Sequence, residues 1–336
     1  MSTATATPAH PETVSGASNI TVSSSKPRML VIVNPYATTV SDRLKNLVVY
    51  ALQARFDVTA VDTEARAHAI EIGREARDGS YDVVVAFGGD GTLNEVANGL
   101  AGTGVPVTVL PGGSTNVMCR MLGIPTDVVD ATEHLLGIAD DFHPRRVDLG
   151  VASGRRFVFA CGAGLDAAVV KRVDSNPKLK ARAGEWYFTW AAISTFSREY
   201  LRDPVRVRLD VEGVSTEGVT AIVQSGDPFT YFRNAPVRVC HGAELDDGSL
   251  SMVMLKRASL RDMPTIAARV FAERYRTGDH SQIDHFESQT DARLESVSPD
   301  DAGRVRSFPL QVDGDYIGDY TEVELGIEPG ALTVVA

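Results

Sequence analysis

Hydrophobic positions along this chain fall into two regimes that meet near Arg145. In the first, short apolar runs alternate with segments of helical period. Arg28–Val33, Phe56–Val61, Val83–Phe87 and Val105–Leu110 are rich in Val, Ile and Leu. Runs of this kind predict strands buried on both faces of a parallel sheet. Between them, Leu44, Leu47, Val48, Ala51 and Leu52 share a helical face behind Ser41, which predicts a capped helix. Glu64–Arg77 turns Ala69, Ile72 and Ala76 inward, with Gly79 beyond its end. Leu93–Leu100, Val117–Leu122 and Asp127–Ile138 complete the series. Strands and helices in alternation predict a doubly wound parallel sheet, an α/β nucleotide domain.

Beyond Arg145 the candidates are short strands with turn residues between them: Arg156–Cys161, Val205–Val211, Val219–Gln224, Val237–Cys240, Leu250–Leu255, Phe308–Val312 and Glu322–Ile327. Val205, Val207, Leu209 and Val211 alternate with Arg206, Arg208 and Asp210, as a half-exposed antiparallel strand does. One helix, Leu260–Tyr275, interrupts them, and the polar stretch Thr277–Val305 reads as partly loop. The expected second unit is an all-β, antiparallel sandwich. The expected division is a disordered tail over 1–26, the α/β domain over 27–146, the sandwich over 147–320, and terminal strands over 321–336 that pack back on the first domain. Met1–Ser25 is rich in Ser, Thr, Ala and Pro and has neither the basic nor the apolar region of a secretory signal.

Composition is that of an ordinary globular chain, 336 residues with 43% hydrophobic and 23% charged content. Charge changes the picture more. Lys+Arg 33 against Asp+Glu 44 leaves −11, which argues against nucleic acid as a partner. It also means that contact with an anionic membrane needs a local basic or apolar patch. Cys119, Cys161 and Cys240 are odd in number and widely spaced, as reduced thiols are. No apolar run approaches the ~18–20 residues of a membrane span. A cytoplasmic location is therefore expected.

The candidate chemistry centres on Val83–Leu100, VVVAFGGDGTLNEVANGL. Strand, glycine turn and helix together aim backbone N–H groups and a helix N-terminus at an anion. Gly88, Gly89 and Gly91 let the backbone approach a phosphate with no Cβ in the way. Asp90 would repel phosphates unless a cation such as Mg²⁺ lay between them. An ordinary glycine-rich turn accounts for the glycines, but not for Asp90, Thr92, Asn94 and Glu95 within one turn. Asn34, Thr63 and a second glycine turn containing Gly112, Gly113 and Ser114 also fall at the carboxyl ends of predicted strands. Ligands bind doubly wound sheets there.

Gly88–Glu95, GGDGTLNE, resembles the GGDGTxNE signature of the diacylglycerol/sphingosine kinase superfamily, distant relatives of NAD kinases. Further segments follow in the family's order. Asn34-Pro35 is similar to its NPxSG turn but lacks Ser-Gly, and Thr63 matches a nucleotide-contacting Thr. Pro111–Asn116 resembles PxGTxND, with Ser114 for Thr and Val117 for an Asp of a metal-linked network. The resemblance implies that Asn34, Thr63, Gly88–Glu95 (Leu93 included), Gly113 and Ser114 contact the nucleotide. Gly162–Ala167 resembles GxGxDA, which implies that Asp166 meets the acceptor lipid. Lys178–Phe196 is the most aromatic stretch of the chain, a lipid-pocket wall or membrane-contacting helix on one view and a core helix on the other, with Arg182 as a cation for the substrate. Glu244–Leu250 resembles an acidic loop in which Asp247, with Glu244 and Ser249, would hold a structural Mg²⁺; a plain hairpin loop reads the same. Asp313-Gly314-Asp315 matches the family's DGE motif with Asp for Glu.

The function implied is a lipid kinase that uses ATP and Mg²⁺ on a lipid at the inner face of the membrane, diacylglycerol above all. Either Asp313 or Asp90 would serve as the base, and a homodimer is compatible. Three other readings stay open: a sphingoid-base or other lipid kinase, an inactive nucleotide- or lipid-binding regulator (suggested by Val117 and the incomplete NPxSG), and an NAD kinase.

Overall fold

The computed structural model describes residues 26–175 and 191–336, apart from Ile193, Arg202 and Glu273. The N-terminal tail and most of the aromatic stretch, including Arg182, lie outside the described residues.

The parallel part of the fold is built from β1 (Arg28–Val33), β2 (Asp57–Asp62), β3 (Val83–Gly88) and β4 (Val107–Pro111), in the order β2-β1-β3-β4. Every residue of β3 and β4 is buried, as continuous apolar runs require. Helices α1 (Asp42–Leu52), α2 (His68–Asp78), α3 (Asp90–Leu100), α4 (Val117–Met121) and α5 (Val128–Ile138) connect and cover them. Ser41 caps α1 by accepting from the Leu44 N–H, and Asp127 caps α5 in the same way. Leu47, expected on the inner face of α1, is 58% exposed; the helix is seated on Val48 and Leu52 instead.

The second part is a two-sheet sandwich. One sheet has the order β14-β13-β10-β7-β16-β17, from Ile283–Gln289, Leu250–Leu255, Thr220–Gln224, Ala160–Gly164, Phe308–Val312 and Asp315–Tyr320. The other consists of β5 (Arg145–Ala152), β6 (Arg155–Phe157), β8 (Val207–Val211), β9 (Val214–Gly218), β15 (Asp291–Ser296) and β18 (Glu322–Val334), and it is continuous with the parallel sheet. Phe157, Met252, Leu294, Phe308 and Val323 fill the space between the two sheets. A small hairpin, β11 (Thr230–Phe232) and β12 (Ala235–Val237), stands apart with α7 (Met263–Phe271), while α6 (Leu165–Asp174) follows β7.

The continuity comes from β18. Its first half pairs with β15 and its last residue with β4 (Val334 beside Val107), while β5 runs antiparallel along it. Glu322–Ile327 thus extends well past its predicted end. Pro329-Gly330 reads as a terminating turn but is absorbed as a register shift between Glu328 and Leu332. The buried Asp148 accepts from the Gly330 N–H at 2.7 Å and holds the kink. The polar stretch Thr277–Val305 is likewise not mainly loop. It contains β14 and β15, which belong to opposite sheets, and in β15 only Ala292, Leu294 and Ser296 point inward.

Candidate active site

The carboxyl ends of β1 to β4 are joined by backbone bonds. The Asn34 N–H donates to the Phe87 carbonyl at 2.9 Å and the Thr63 N–H to that of Val33 at 2.8 Å. α3 begins at Asp90, earlier than its apolar period predicts, so Asp90, Gly91 and Thr92 form its first turn. The Thr92 and Leu93 N–H groups already bond the Gly89 carbonyl. The amides of Asp90 and Gly91 precede them, at the end of the helix where the dipole favours an anion.

The glycines answer first to packing between the two turns. A Cβ on Gly112 would lie 2.8 Å from the Gly88 Cα, and one on Gly113 2.8 Å from the Gly89 Cα. The Gly112 N–H also donates to the Gly88 carbonyl at 2.8 Å. The turns after β3 and β4 therefore lie backbone against backbone, a separation that only glycine permits.

Several side chains expected at the nucleotide are used within the scaffold. Leu93 is 2% exposed and packs in the core. Glu95 accepts from the Ala67 and Ala69 N–H groups at 2.8 and 3.2 Å. It thereby caps α2, whose own N-cap, Ala67, has φ +66 and no side chain to offer. Thr92 and Thr63 are buried, and the Thr92 hydroxyl accepts from Asn34 Nδ2 at 3.1 Å. Gly113 is half-buried and Ser114 is exposed at the mouth of the second turn. Asn94 lies at the seam between the units. Its amide donates to Asp313 Oδ2 at 2.7 Å and to the Arg156 carbonyl at 2.9 Å, and its Oδ1 accepts from Arg155 Nη2 at 2.6 Å.

The two carboxylates expected to act as base are also committed. Asp90 accepts from the Val117 N–H at 3.0 Å and the Met118 N–H at 3.1 Å, which ties α3 to the start of α4. Val117 itself is a core residue, so its backbone, not a side-chain acid, meets Asp90. Burial raises the Asp90 carboxyl above its usual range against the pull of those amides, and the neighbouring Asp315 charge adds to the rise. Asp313 is held still more firmly. It occupies a two-residue turn between β16 and β17, with φ +47 at Asp313 and +83 at Gly314, the left-handed pair that Asp-Gly favours. Its Oδ2 accepts from the Val158 N–H at 2.7 Å and from Asn94, and its Oδ1 from the Phe159 and Ala160 N–H groups at 3.0 Å each. Four donors fill the acceptor sites of a carboxylate. Burial pushes the group up to about 6, with the four bonds pulling the other way.

The acid that reaches the glycine turn is Asp315. A Cβ on Gly91 would fall 2.4 Å from Asp315 Oδ2. The sequence offers Asp315 only as a stand-in for Glu. The hairpin turn fixes Asp313 between the Val158–Ala160 amides and Asn94 of α3 and projects Asp315 toward the first turn of that helix. Arg66, just before α2, donates to the Tyr316 carbonyl at 3.3 Å and tethers the same hairpin. Arg155, which no sequence pattern marks, is the cation at the seam, and its buried Nε has no hydrogen-bond partner among the described residues.

Asp166, in the first turn of α6, accepts from Gln311 Nε2 at 2.9 Å, and Gln311 Oε1 accepts from the Gly314 N–H at 2.8 Å. One glutamine thus couples the expected lipid contact to the acidic hairpin. Burial raises the Asp166 carboxyl from 3.8 to about 6. A raised carboxyl stabilises the fold below its unfolded value and loses that contribution as pH climbs through 6. Asp166→Asn keeps an acceptor for Gln311. It should therefore be about 1–3 kcal/mol more stable than wild type near pH 7 and equal to it near pH 4. Urea melts at the two pH values test this, and a difference that does not change with pH would refute it.

In the acidic loop Asp247 turns onto its own chain, accepting from the Ser249 N–H at 2.8 Å and hydroxyl at 2.9 Å, and Glu244 is exposed. Among the described residues, no three His, Cys, Asp or Glu side chains converge on a metal position. The loop is anchored by Asp148, which accepts from the Gly248 N–H at 2.6 Å.

A parallel α/β unit whose glycine turn meets an acidic hairpin from a β-sandwich defines a two-domain phosphotransferase. Comparison with known proteins gives the family. The diacylglycerol kinase catalytic domain matches residues 28–151, and the YegS C-terminal NAD kinase beta sandwich-like domain matches 160–336. A diacylglycerol kinase of Staphylococcus saprophyticus is 26% identical over 277 residues, 82% of this chain and 84% of that protein. One of Bacillus subtilis is 28% identical over 273 residues, 79% of this chain and 82% of that protein. The crystal structure of a diacylglycerol kinase from Bacillus anthracis superposes with a TM-score of 0.66 over 92% of this chain and 96% of that one, at 19% identity, and so shares the fold. The chain belongs to the diacylglycerol kinase superfamily and is a lipid kinase.

Proposed function

We propose that this kinase transfers the γ-phosphoryl group of ATP to the hydroxyl of diacylglycerol, giving phosphatidic acid, at the inner face of the membrane. The observation that carries the proposal is the Asp315 carboxylate, brought by the sandwich against Gly91 in the first turn of α3. In the proposed complex the Asp90 and Gly91 amides receive the phosphates, with the helix dipole behind them. Arg155 adds positive charge from the seam. Asp315 accepts the hydroxyl proton as the new O–P bond forms and the bond to ADP breaks, which requires the hydroxyl within ~3 Å of it. Asp166 orients the lipid head, and Asp313 positions the hairpin. Asp90, which keeps lone pairs beyond the α4 amides, is the residue suited to Mg²⁺. When bound, the ion neutralises charge on the phosphates.

Incubation with labelled ATP and a panel of diacylglycerol, sphingosine and NAD, followed by chromatography, tests the proposal. Label is expected in phosphatidic acid and only with Mg²⁺ present. Label in sphingosine phosphate or NADP instead would reassign the acceptor, and ATP binding with no transfer would make the protein a regulator.

A further inference from the structure

We propose that the outward face of α7, together with the tip of the β11–β12 hairpin, docks this kinase on a bilayer containing anionic phospholipid. The helix is apolar on two sides. Met263, Ile266 and Val270 face inward, where Ile266 is buried among Val237, Val253 and Leu255. Pro264, Ala267, Ala268 and Phe271 recur at helical spacing on the opposite side, with Leu260 just before the helix and Tyr275 beyond its end, and a helix facing water ordinarily carries polar residues there. Leu260 is 72%, Phe271 49% and Tyr275 51% exposed. The hairpin extends this surface, because the Phe232 ring packs edge-on against Phe271 at 6.0 Å between centroids.

Charge selects the partner. From Lys256 to Arg276 the chain carries six basic residues against two acidic ones, although the whole protein is −11. Screening over about 8 Å makes this local excess, not the net charge, what a nearby surface senses. Lys256 pairs with Asp284, Arg257 with Asp262 and Arg276 with Glu287. Arg261 and Arg274 are exposed at the margins and make no ion pair among the described residues. Arg274 and Arg269 flank the Tyr275 ring, and Arg233 lies over Phe232. Exposed aromatic and aliphatic residues rimmed by arginines are the composition of helices that lie in the headgroup layer. The surface also adjoins the catalytic cleft. Arg120 of α4 lies 4.7 Å over the Tyr231 ring and bonds Asn234 at the hairpin tip, and the first amides of that same helix hold Asp90.

This rests on the lipid-kinase reading for the need to reach a bilayer, but its test does not. The full chain is sedimented with vesicles of phosphatidylcholine alone or mixed with phosphatidylglycerol. Wild type should bind the mixed vesicles, and less well as salt rises. Arg261→Gln with Arg274→Gln should weaken binding about 10–30-fold at low salt, since each cation near such a surface contributes roughly a five-fold factor. Phe271→Ser should weaken it about 10-fold or more. Melting temperature should not move in the arginine variant and should fall by only a few degrees in Phe271→Ser, which loses the edge contact with Phe232. Their activity on a dispersed short-chain diacylglycerol should match wild type. Equal binding by the variants, or no wild-type binding to the mixed vesicles, overturns the docking proposal. Vesicle binding that follows the prediction in a wild type that phosphorylates no lipid leaves the docking surface standing and removes the functional one.

Discussion

Asp315→Asn is expected to lower kcat by about 10²–10⁴-fold, the cost of removing a general base. Melting temperature and ATP affinity should stay near those of wild type. The substitution is nearly isosteric and sits at a strand start, where Asp315 is half-buried. It also removes a negative charge that raises the Asp90 carboxyl, so Asp90 should ionise more readily in the variant. Steady-state kinetics on a short-chain diacylglycerol beside a thermal melt would separate loss of chemistry from loss of fold. An unchanged kcat would end the assignment of Asp315.

Asp313→Asn should act through the fold. One carboxylate oxygen becomes an amide N–H₂ group that faces donors, either the Phe159 and Ala160 amides or the Val158 amide and Asn94. Two buried donors without acceptors cost roughly 1–3 kcal/mol each, about 2–6 kcal/mol together. At about 2–4 °C per kcal/mol, melting should fall by roughly 4–24 °C. Activity would be lost with it because the hairpin that presents Asp315 comes loose. Calorimetry decides the matter: a variant that melts like wild type yet has lost its turnover would return Asp313 to the role of base.

The parallel half was legible because both of its periodicities are strong. β3 is apolar at nearly every position, and α2 buries Ala69, Ile72 and Ala76 as its pattern requires. In the sandwich, β8 was legible for the same reason, with Val207, Leu209 and Val211 inward. The strands lost in Thr277–Val305 carry small or polar residues at inward positions, Ala292 and Ser296 among them, so alternation is present without hydrophobic contrast. Of the site, the glycine turns and the acidic hairpin could be read as motifs. Leu93, Glu95 and Asn94 sit inside the most specific of these motifs, yet they serve the core, the α2 cap and the seam between units. A motif names residue types near a site, while only packing decides which of them face it.

What the sequence alone determined is the alternation of strands and helices, the two regimes on either side of Arg145, and the turn chemistry at Gly88-Gly89 and Asp313-Gly314. These depend on period and backbone freedom, which are local properties. The tertiary structure alone decided that Gly112 and Gly113 serve to bring two turns into contact, that Asp313 is saturated by donors distant in sequence, Asn94 of α3 among them, and that Asp315 rather than Asp313 meets the glycine turn at the start of α3. A carboxylate's partners are set by where remote amides lie after folding, and two residues along a hairpin carry the next acid from Asn94 to the first turn of the same helix.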